Sequence, residues 1–195
     1  MNSGELKRAK KHIRREVLAQ RDALGPQERD RLGALVIERA LGLPEVDSAR
    51  TVMAFWTFGS ELPTMPLIEA LVAGGVRVAL PCIADGDLEA RTWRPGDPTS
   101  TTSFGAQEPA GGVVLDPNDV DVVITPAVAF DRAGRRVGYG GGFYDRFFPR
   151  SPRAFRLGAA FAVQLVDGDL PAGHFDLRVH AIVTESETVR CESGS

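Results

Sequence analysis

Residues 135 to 145 of this 195-residue chain read Arg-Arg-Val-Gly-Tyr-Gly-Gly-Gly-Phe-Tyr-Asp, a run that concentrates groups able to handle phosphate. Glycines at 138, 140, 141 and 142 remove Cβ atoms, permit positive φ and let several backbone N–H groups point at one anion. A helix opening just after them brings its positive dipole end to the same place. Arg135 and Arg136 add guanidinium forks at the mouth, a geometry suited to phosphate. A polyphosphate is the natural guest. A flexible turn would need the same glycines, and Gly138-x-Gly140 also starts like a dinucleotide fingerprint. That fingerprint should follow a strand directly, whereas here the polar turn Asp131 to Arg136 intervenes, and no Lys-Ser/Thr pair ends the run as in a Walker loop.

Other residues have the types and spacing to join such a site. Lys10 and Arg14 lie four apart on a helical segment, so they share a face and can grip one phosphate chain. A solvated basic face is the plain alternative, and it is the reading kept for Lys7, Arg8, Lys11 and Arg15. Asp145 follows the glycine run closely. A carboxylate there would repel phosphates unless a cation intervened, and Mg²⁺ held by one or two carboxylates is the usual solution. Phe143 and Tyr144 offer flat rings for stacking, or anchors for a short helix. Glu61 sits between a strand and a helix, where side chains commonly point into an α/β cleft. His12, His174 and His180 show no ligand spacing and read as structural or exposed.

The elements that must carry these residues follow from periodicity. Leu6, Ala9, Ile13, Val17 and Leu24 recur at helical spacing in a first helix expected from Ser3, its capping residue, to about Ala23. Pro26 opens a second helix, closed by Pro44, so residues 1–44 form a helical pair. Strands are expected at 51–55, 76–80, 88–93, 120–125, 156–161 and 180–184, with helices near 64–73 and 144–148. This alternation indicates an α/β sheet that is mostly parallel. Residues 94–118, rich in Pro, Gly, Ser and Thr, read as one long loop, and 186–195 as a frayed tail. No internal repeat or second domain boundary is visible, so 1–195 reads as one domain.

Composition sets the outer bounds. A net charge of −3 and a hydrophobic fraction of 43% fit a globular protein and argue against a nucleic-acid or anionic-membrane binder. Cys82 and Cys191 have no metal-ligand spacing and suggest reduced thiols. With no apolar run of spanning length and no signal peptide, a cytoplasmic location is expected. A monomer acting on small molecules, without nucleic acid or membrane, is the expected form.

One resemblance covers nearly the whole chain. Asp121 to Asp131, with Pro126 and Phe130, continues through Gly134-x-Arg136-x-Gly138-Tyr139-Gly140-Gly141-Gly142-Phe143-Tyr144-Asp145-Arg146. Gly59-Ser60-Glu61, Phe104-Gly105-x-x-Glu108-Pro109, Gly158-x-Ala160-Phe161 with Gln164, and Asp176 before Ile182 to Glu185 accompany it in order. The set resembles the 5-formyltetrahydrofolate cyclo-ligase family, also called methenyltetrahydrofolate synthetase. The resemblance implies a three-layer α/β/α sandwich similar to the isomerase and CoA-transferase-like fold. It implies ATP-driven cyclisation of 5-formyltetrahydrofolate to 5,10-methenyltetrahydrofolate, with Mg²⁺ as cofactor and ATP as co-substrate.

By the same resemblance, Lys10 and Arg136 are catalytic, and ATP contacts come from Lys10, Arg14 and the run Arg136, Val137, Gly138, Tyr139, Gly140, Gly141, Gly142, Phe143 and Tyr144. Folate contacts come from Trp56, Glu61, Tyr139, Phe143 and Tyr144, and the metal from Asp145 and Asp176. Trp56 suits core packing equally well. The chain departs from the family where Phe143 stands for a frequent tyrosine, where Tyr139 and Gly141 stand for basic residues of some members, and where His180 stands for a common aspartate. Two other classes fit the residues: another ATP- or sugar-phosphate enzyme on the same sheet, and a non-catalytic folate- or nucleotide-binding relative.

Overall fold

Helical and extended periodicity alternate along the chain, and the structure, a computed structural model describing residues 2–102 and 105–191, follows that alternation. Helices α1 (Ser3–Asp22), α2 (Pro26–Leu41) and α3 (Pro44–Asp47) precede β1 (Thr51–Met53), α4 (Met65–Ala73), β2 (Arg77–Ala84) and β3 (Asp87–Thr92). There follow β4 (Thr99–Thr101), β5 (Gln107–Pro109), β6 (Val122–Thr125), β7 (Ala129–Phe130), β8 (Arg136–Val137) and α5 (Phe143–Phe147). The chain finishes with β9 (Phe155–Ala159), β10 (Ala181–Val183) and β11 (Thr188–Arg190).

The main sheet has the order β11-β10-β9-β6-β1-β2-β3. Strands β10, β9, β6, β1 and β2 run parallel, and the edge strands β11 and β3 pair antiparallel to their neighbours. Both faces of the parallel strands are buried, which is why they read as continuous apolar runs. Val52, Val78, Leu80, Val122, Ile124 and Leu157 point to the face covered by α2 and α4, meeting Val36, Ile37, Leu67 and Ile68. Met53, Ala79 and Val123, one residue out of phase, point to the opposite face and meet Phe147 and Phe148 at the end of α5. Three layers result, the second outer layer being the thinner.

Local chemistry sets the helix ends. The cap of α1 is Asn2, not Ser3 as expected: its side chain accepts the Glu5 N–H while the Glu5 carboxylate accepts the Asn2 N–H. That reciprocal box needs the acid three residues after the cap, which selects position 2. Pro44 does more than end α2, since it opens α3 from a first-turn position where its missing N–H is harmless.

Two stretches expected to be irregular carry structure. Residues 94–118 are not one loop: β4 and β5 form a hairpin, and Arg91 bridges Val114. Glu108 on β5 accepts the Ile83 N–H at 3.0 Å and fastens the hairpin to β2. Phe104, part of the motif noted above, lies outside the described residues. The expected frayed tail at 186–195 is corrected at β11, where Val189 is buried opposite Ile182; its last residues, 192–195, lie outside the described residues. A single apolar residue between Thr188 and Arg190 leaves too short an alternation to mark a strand.

Candidate functional site

A cleft of about 670 Å³ opens beyond the carboxyl ends of β1, β2 and β6, where open parallel sheets place their sites. It is lined from α1 by Lys10 and Arg14, from the turn after β1 by Trp56 and Glu61, and from the glycine run by Gly138 to Asp145. Arg136 and Asp176 complete its polar wall.

Arg136 is set by the β7–β8 hairpin, whose turn is held by buried Asp131 accepting the Ala133, Arg135 and Leu170 N–H groups. The polar turn expected at 131–136 is therefore the tip of this hairpin. Only 8% of Arg136 is exposed; its Nη2 donates to Asp145 Oδ1 at 2.7 Å, and its buried Nε has no partner among the described residues. The guanidinium packs on Phe148 and Tyr144. Burial pushes its pKa below the ordinary value, with Asp145 pulling the other way. Arg135 turns away from the cleft to pair with Asp131 and Asp169, which corrects the expectation that both arginines guard its mouth.

Gly140 (φ +111°) and Gly142 (φ +66°) adopt the left-handed region that the run was expected to need. Arg14 Nε donates to the Gly138 carbonyl at 2.6 Å and ties the loop to α1. Among the described residues, the N–H groups of Tyr139 to Gly142 have no acceptor. Helix α5 then begins, but at five residues it offers the free N–H groups of its first turn rather than a long macrodipole. Val137 does not line the cleft: its side chain is fully buried with Val17, Val128 and Leu170, because strand alternation turns it opposite to Arg136.

Lys10 Nζ lies 2.5 Å from Asp176 Oδ2, which also accepts the Gly173 N–H. Leu177, next to Asp176, donates its N–H to Asp145 Oδ1 at 3.2 Å, so the two carboxylates share one corner. Burial raises the Asp176 carboxyl, but the bonds from Lys10 and Gly173 outweigh it and hold the group below the ordinary range. Asp145 Oδ2 and Asp176 Oδ1 accept no hydrogen bond among the described residues. No cluster of three or more His, Cys, Asp or Glu side chains occurs there. Two carboxylates beside a phosphate-shaped loop fit Mg²⁺, which keeps waters and phosphate oxygens in its shell.

The other half of the cleft is apolar around one acid. Glu61 is 5% exposed and accepts the Phe58 N–H at 3.0 Å. Burial raises its pKa, opposed in turn by that N–H, by Arg21 and by Tyr139. Trp56 packs on the core, meets Trp93 edge-on at 5.0 Å, and also lines the cleft. Phe143 and Tyr144 line the cleft too, and the Tyr144 hydroxyl is buried without a partner among the described residues.

Lys7, read above as part of a solvated basic face, also lines the cleft, as do Phe58 and Glu108, which were given no role in the site, and Arg21 is buried behind Tyr139. A signal was present: Lys7, Lys10, Arg14 and Arg21 are spaced by three, four and seven, which places them on one face of α1.

Fold and cleft together define an α/β protein with a phosphate-suited loop and an acid-centred apolar half meeting at the ends of parallel strands. The chain belongs to the 5-formyltetrahydrofolate cyclo-ligase family, whose model matches residues 6–185. It is 37% identical over 174 residues to the 5-formyltetrahydrofolate cyclo-ligase of Escherichia coli strain K12, covering 86% of this chain and 95% of that protein. The Haemophilus influenzae protein of the same name is 32% identical over 181 residues, covering 89% and 96%. Among solved structures, the 5,10-methenyltetrahydrofolate synthetase of Aquifex aeolicus superposes with a TM-score of 0.84 at 30% identity, covering 95% of this chain and 94% of that one.

Proposed function

We propose that this chain converts 5-formyltetrahydrofolate to 5,10-methenyltetrahydrofolate while cleaving ATP to ADP and phosphate. One observation carries the reading. The cleft holds two cation–carboxylate pairs, Lys10 with Asp176 and Arg136 with Asp145, beside a loop of N–H groups without acceptors among the described residues. Mg-ATP would satisfy all of these at once: its phosphates would draw on Lys10, Arg136 and the loop N–H groups, and Asp145 and Asp176 would be free to hold the metal. When bound, Mg²⁺ held by Asp145 and Asp176 would neutralise phosphate charge.

In this reading Arg136 and Lys10 are the catalytic cations, steadying the charge that spreads over the transferring phosphoryl group. Arg14, Val137 through its backbone, and the amides of Gly138 to Gly142 hold the phosphate chain. Glu61 hydrogen-bonds the pterin, and Trp56, Tyr139, Phe143 and Tyr144 enclose its rings. A formyl amide is a poor electrophile and its oxygen a poor leaving group. Transfer of the γ-phosphoryl group to that oxygen, with ADP departing, makes an iminium phosphate. N10 attacks the activated carbon and loses its proton, and phosphate leaves with the former formyl oxygen. Positioning and charge neutralisation suffice for this sequence, without a protein nucleophile.

The chain is taken to act as a monomer in the cytoplasm, on these small molecules and not on nucleic acid or membrane. No described helix is long and apolar enough to cross a membrane. Purified protein given Mg-ATP and 5-formyltetrahydrofolate is expected to produce the near-ultraviolet absorbance of the methenyl product and stoichiometric ADP. Neither signal appearing would overturn the reading.

A further inference from the structure

Arg21 is the buried charge of α1: the helix buries only it and Val17 among the described residues. At 2% exposure, its Nε donates to Ser60 Oγ at 3.0 Å and its Nη2 to the Tyr139 hydroxyl at 2.8 Å. Its Nη1 is buried without a partner, and it forms no ion pair among the described residues. The Ser60 hydroxyl donates onward to Asp22. A buried guanidinium without a carboxylate partner opposes folding rather than supporting it. Its two bonds instead join the Ser60–Glu61 turn to the glycine loop, the two halves of the cleft.

We propose that Arg21 is a positioning residue for the folate half of the site, holding the Tyr139 hydroxyl and the Ser60–Glu61 turn in fixed relation across the cleft. This inference rests on the reaction proposed above. The direction of the Arg21–Tyr139 bond follows from donor chemistry. Arginine has no acceptor, so the Tyr139 oxygen must accept from it and turn its own hydrogen elsewhere. Tyr139 and Glu61 line the same cleft, and Ser60, the other partner of Arg21, is the neighbour of Glu61. The groups facing Glu61 are Arg21 from α1, Tyr139 from the glycine loop, Tyr144 from α5 and the Phe58 N–H of its own turn, with Asp22 one link away through Ser60. Burial favours the neutral acid, whereas Arg21 and Tyr139 favour the carboxylate that would accept hydrogen bonds from a pterin. Arginine suits the task because one rigid fork reaches Ser60 and Tyr139 together, which a lysine ammonium cannot do.

The test compares wild type, Arg21→Met, Arg21→Lys and Tyr139→Phe in steady-state kinetics over pH, with circular dichroism to verify folding. Arg21→Met and Tyr139→Phe are expected to raise KM for the folate roughly tenfold and to move the acid limb of kcat/KM up by about one pH unit. Simple loss of packing would not move that limb. Arg21→Lys should return the limb toward its wild-type position, because the charge remains, while leaving KM elevated. Active wild type with an unmoved limb and unchanged folate KM in both Arg21→Met and Tyr139→Phe overturns the inference. Should Arg21→Met fail to fold, Tyr139→Phe decides by the same two readouts. A wild type without activity would instead remove the proposed reaction, so the two failures are distinct.

Discussion

Arg136 Nη2 meets Asp145 Oδ1 at 2.7 Å on the cleft wall, with the arginine almost wholly buried and the aspartate still reaching the cleft. Desolvation strengthens whatever charge the guanidinium faces. If that charge is the transferring phosphoryl group, Arg136→Ala should lower kcat by about a hundred- to a thousand-fold, the loss expected for one preorganised donor. Arg136→Lys should recover little, since a point charge cannot reproduce a fork shared between Asp145 and phosphate. Turnover in Arg136→Ala within a few-fold of wild type would remove it from the chemistry.

The carboxylate corner makes a separate prediction. Chelation with EDTA should abolish turnover and added Mg²⁺ restore it. Asp145→Asn and Asp176→Asn should each raise the Mg²⁺ concentration for half-maximal rate by roughly tenfold or more, with little change in folate KM. Asp176→Asn also frees Lys10 from its partner, so its ATP KM is the more informative of the two. Unchanged Mg²⁺ dependence in both variants would assign the metal elsewhere.

The sequence made the parallel sheet readable because Val122, Val123, Ile124 and Thr125 are all buried, one face alternating with the other, and no charged residue interrupts them. The glycine loop was readable because Gly140 and Gly142 need φ values that side chains resist. The burial of the Val137 side chain was not readable from the glycine run, since two-residue alternation in β8 turns it into the α1 contact. Arg21 was hidden for a different reason. A buried arginine looks like any other basic helix residue until its partners Ser60 and Tyr139, 39 and 118 positions away, are brought to it. The β4–β5 hairpin was missed because its Thr and Ser residues fit turns as well as edges, and Glu108 fixes it only through Ile83 on another strand.

Gly140 offers a test of the loop itself. At φ +111° an alanine is strained, while its Cβ would meet Arg14 Nη2 at 3.6 Å, an ordinary contact, so the cost lies in the backbone of the loop. Strain of this kind costs about 1–3 kcal/mol. Gly140→Ala should therefore raise KM for ATP about tenfold, leave folate KM near wild type, and lower Tm by roughly 2–4 °C per kcal/mol lost. Equal effects on both substrates would mean the loop does not belong to the phosphate half.

Glu61 links stability to function through pH. Its folded pKa is raised, chiefly by burial, from an ordinary value of 4.5. The folded state thus binds a proton more readily than the unfolded chain, and the ionised side chain opposes folding at every pH above the folded pKa. Below 4.5 both states are protonated and the effect vanishes. Glu61→Gln keeps an oxygen to accept the Phe58 N–H but has no charge to bury. The variant should melt higher than wild type at neutral pH, a shift that thermal denaturation monitored by circular dichroism would read. The gain should shrink as pH falls through the folded pKa and disappear below the ordinary value. Folate KM should rise in the same variant, because an amide cannot replace a carboxylate accepting from the pterin. A buried acid kept at a cost to stability and needed for substrate binding explains both results. A variant that melts lower at neutral pH while binding folate normally would show that Glu61 serves the fold alone.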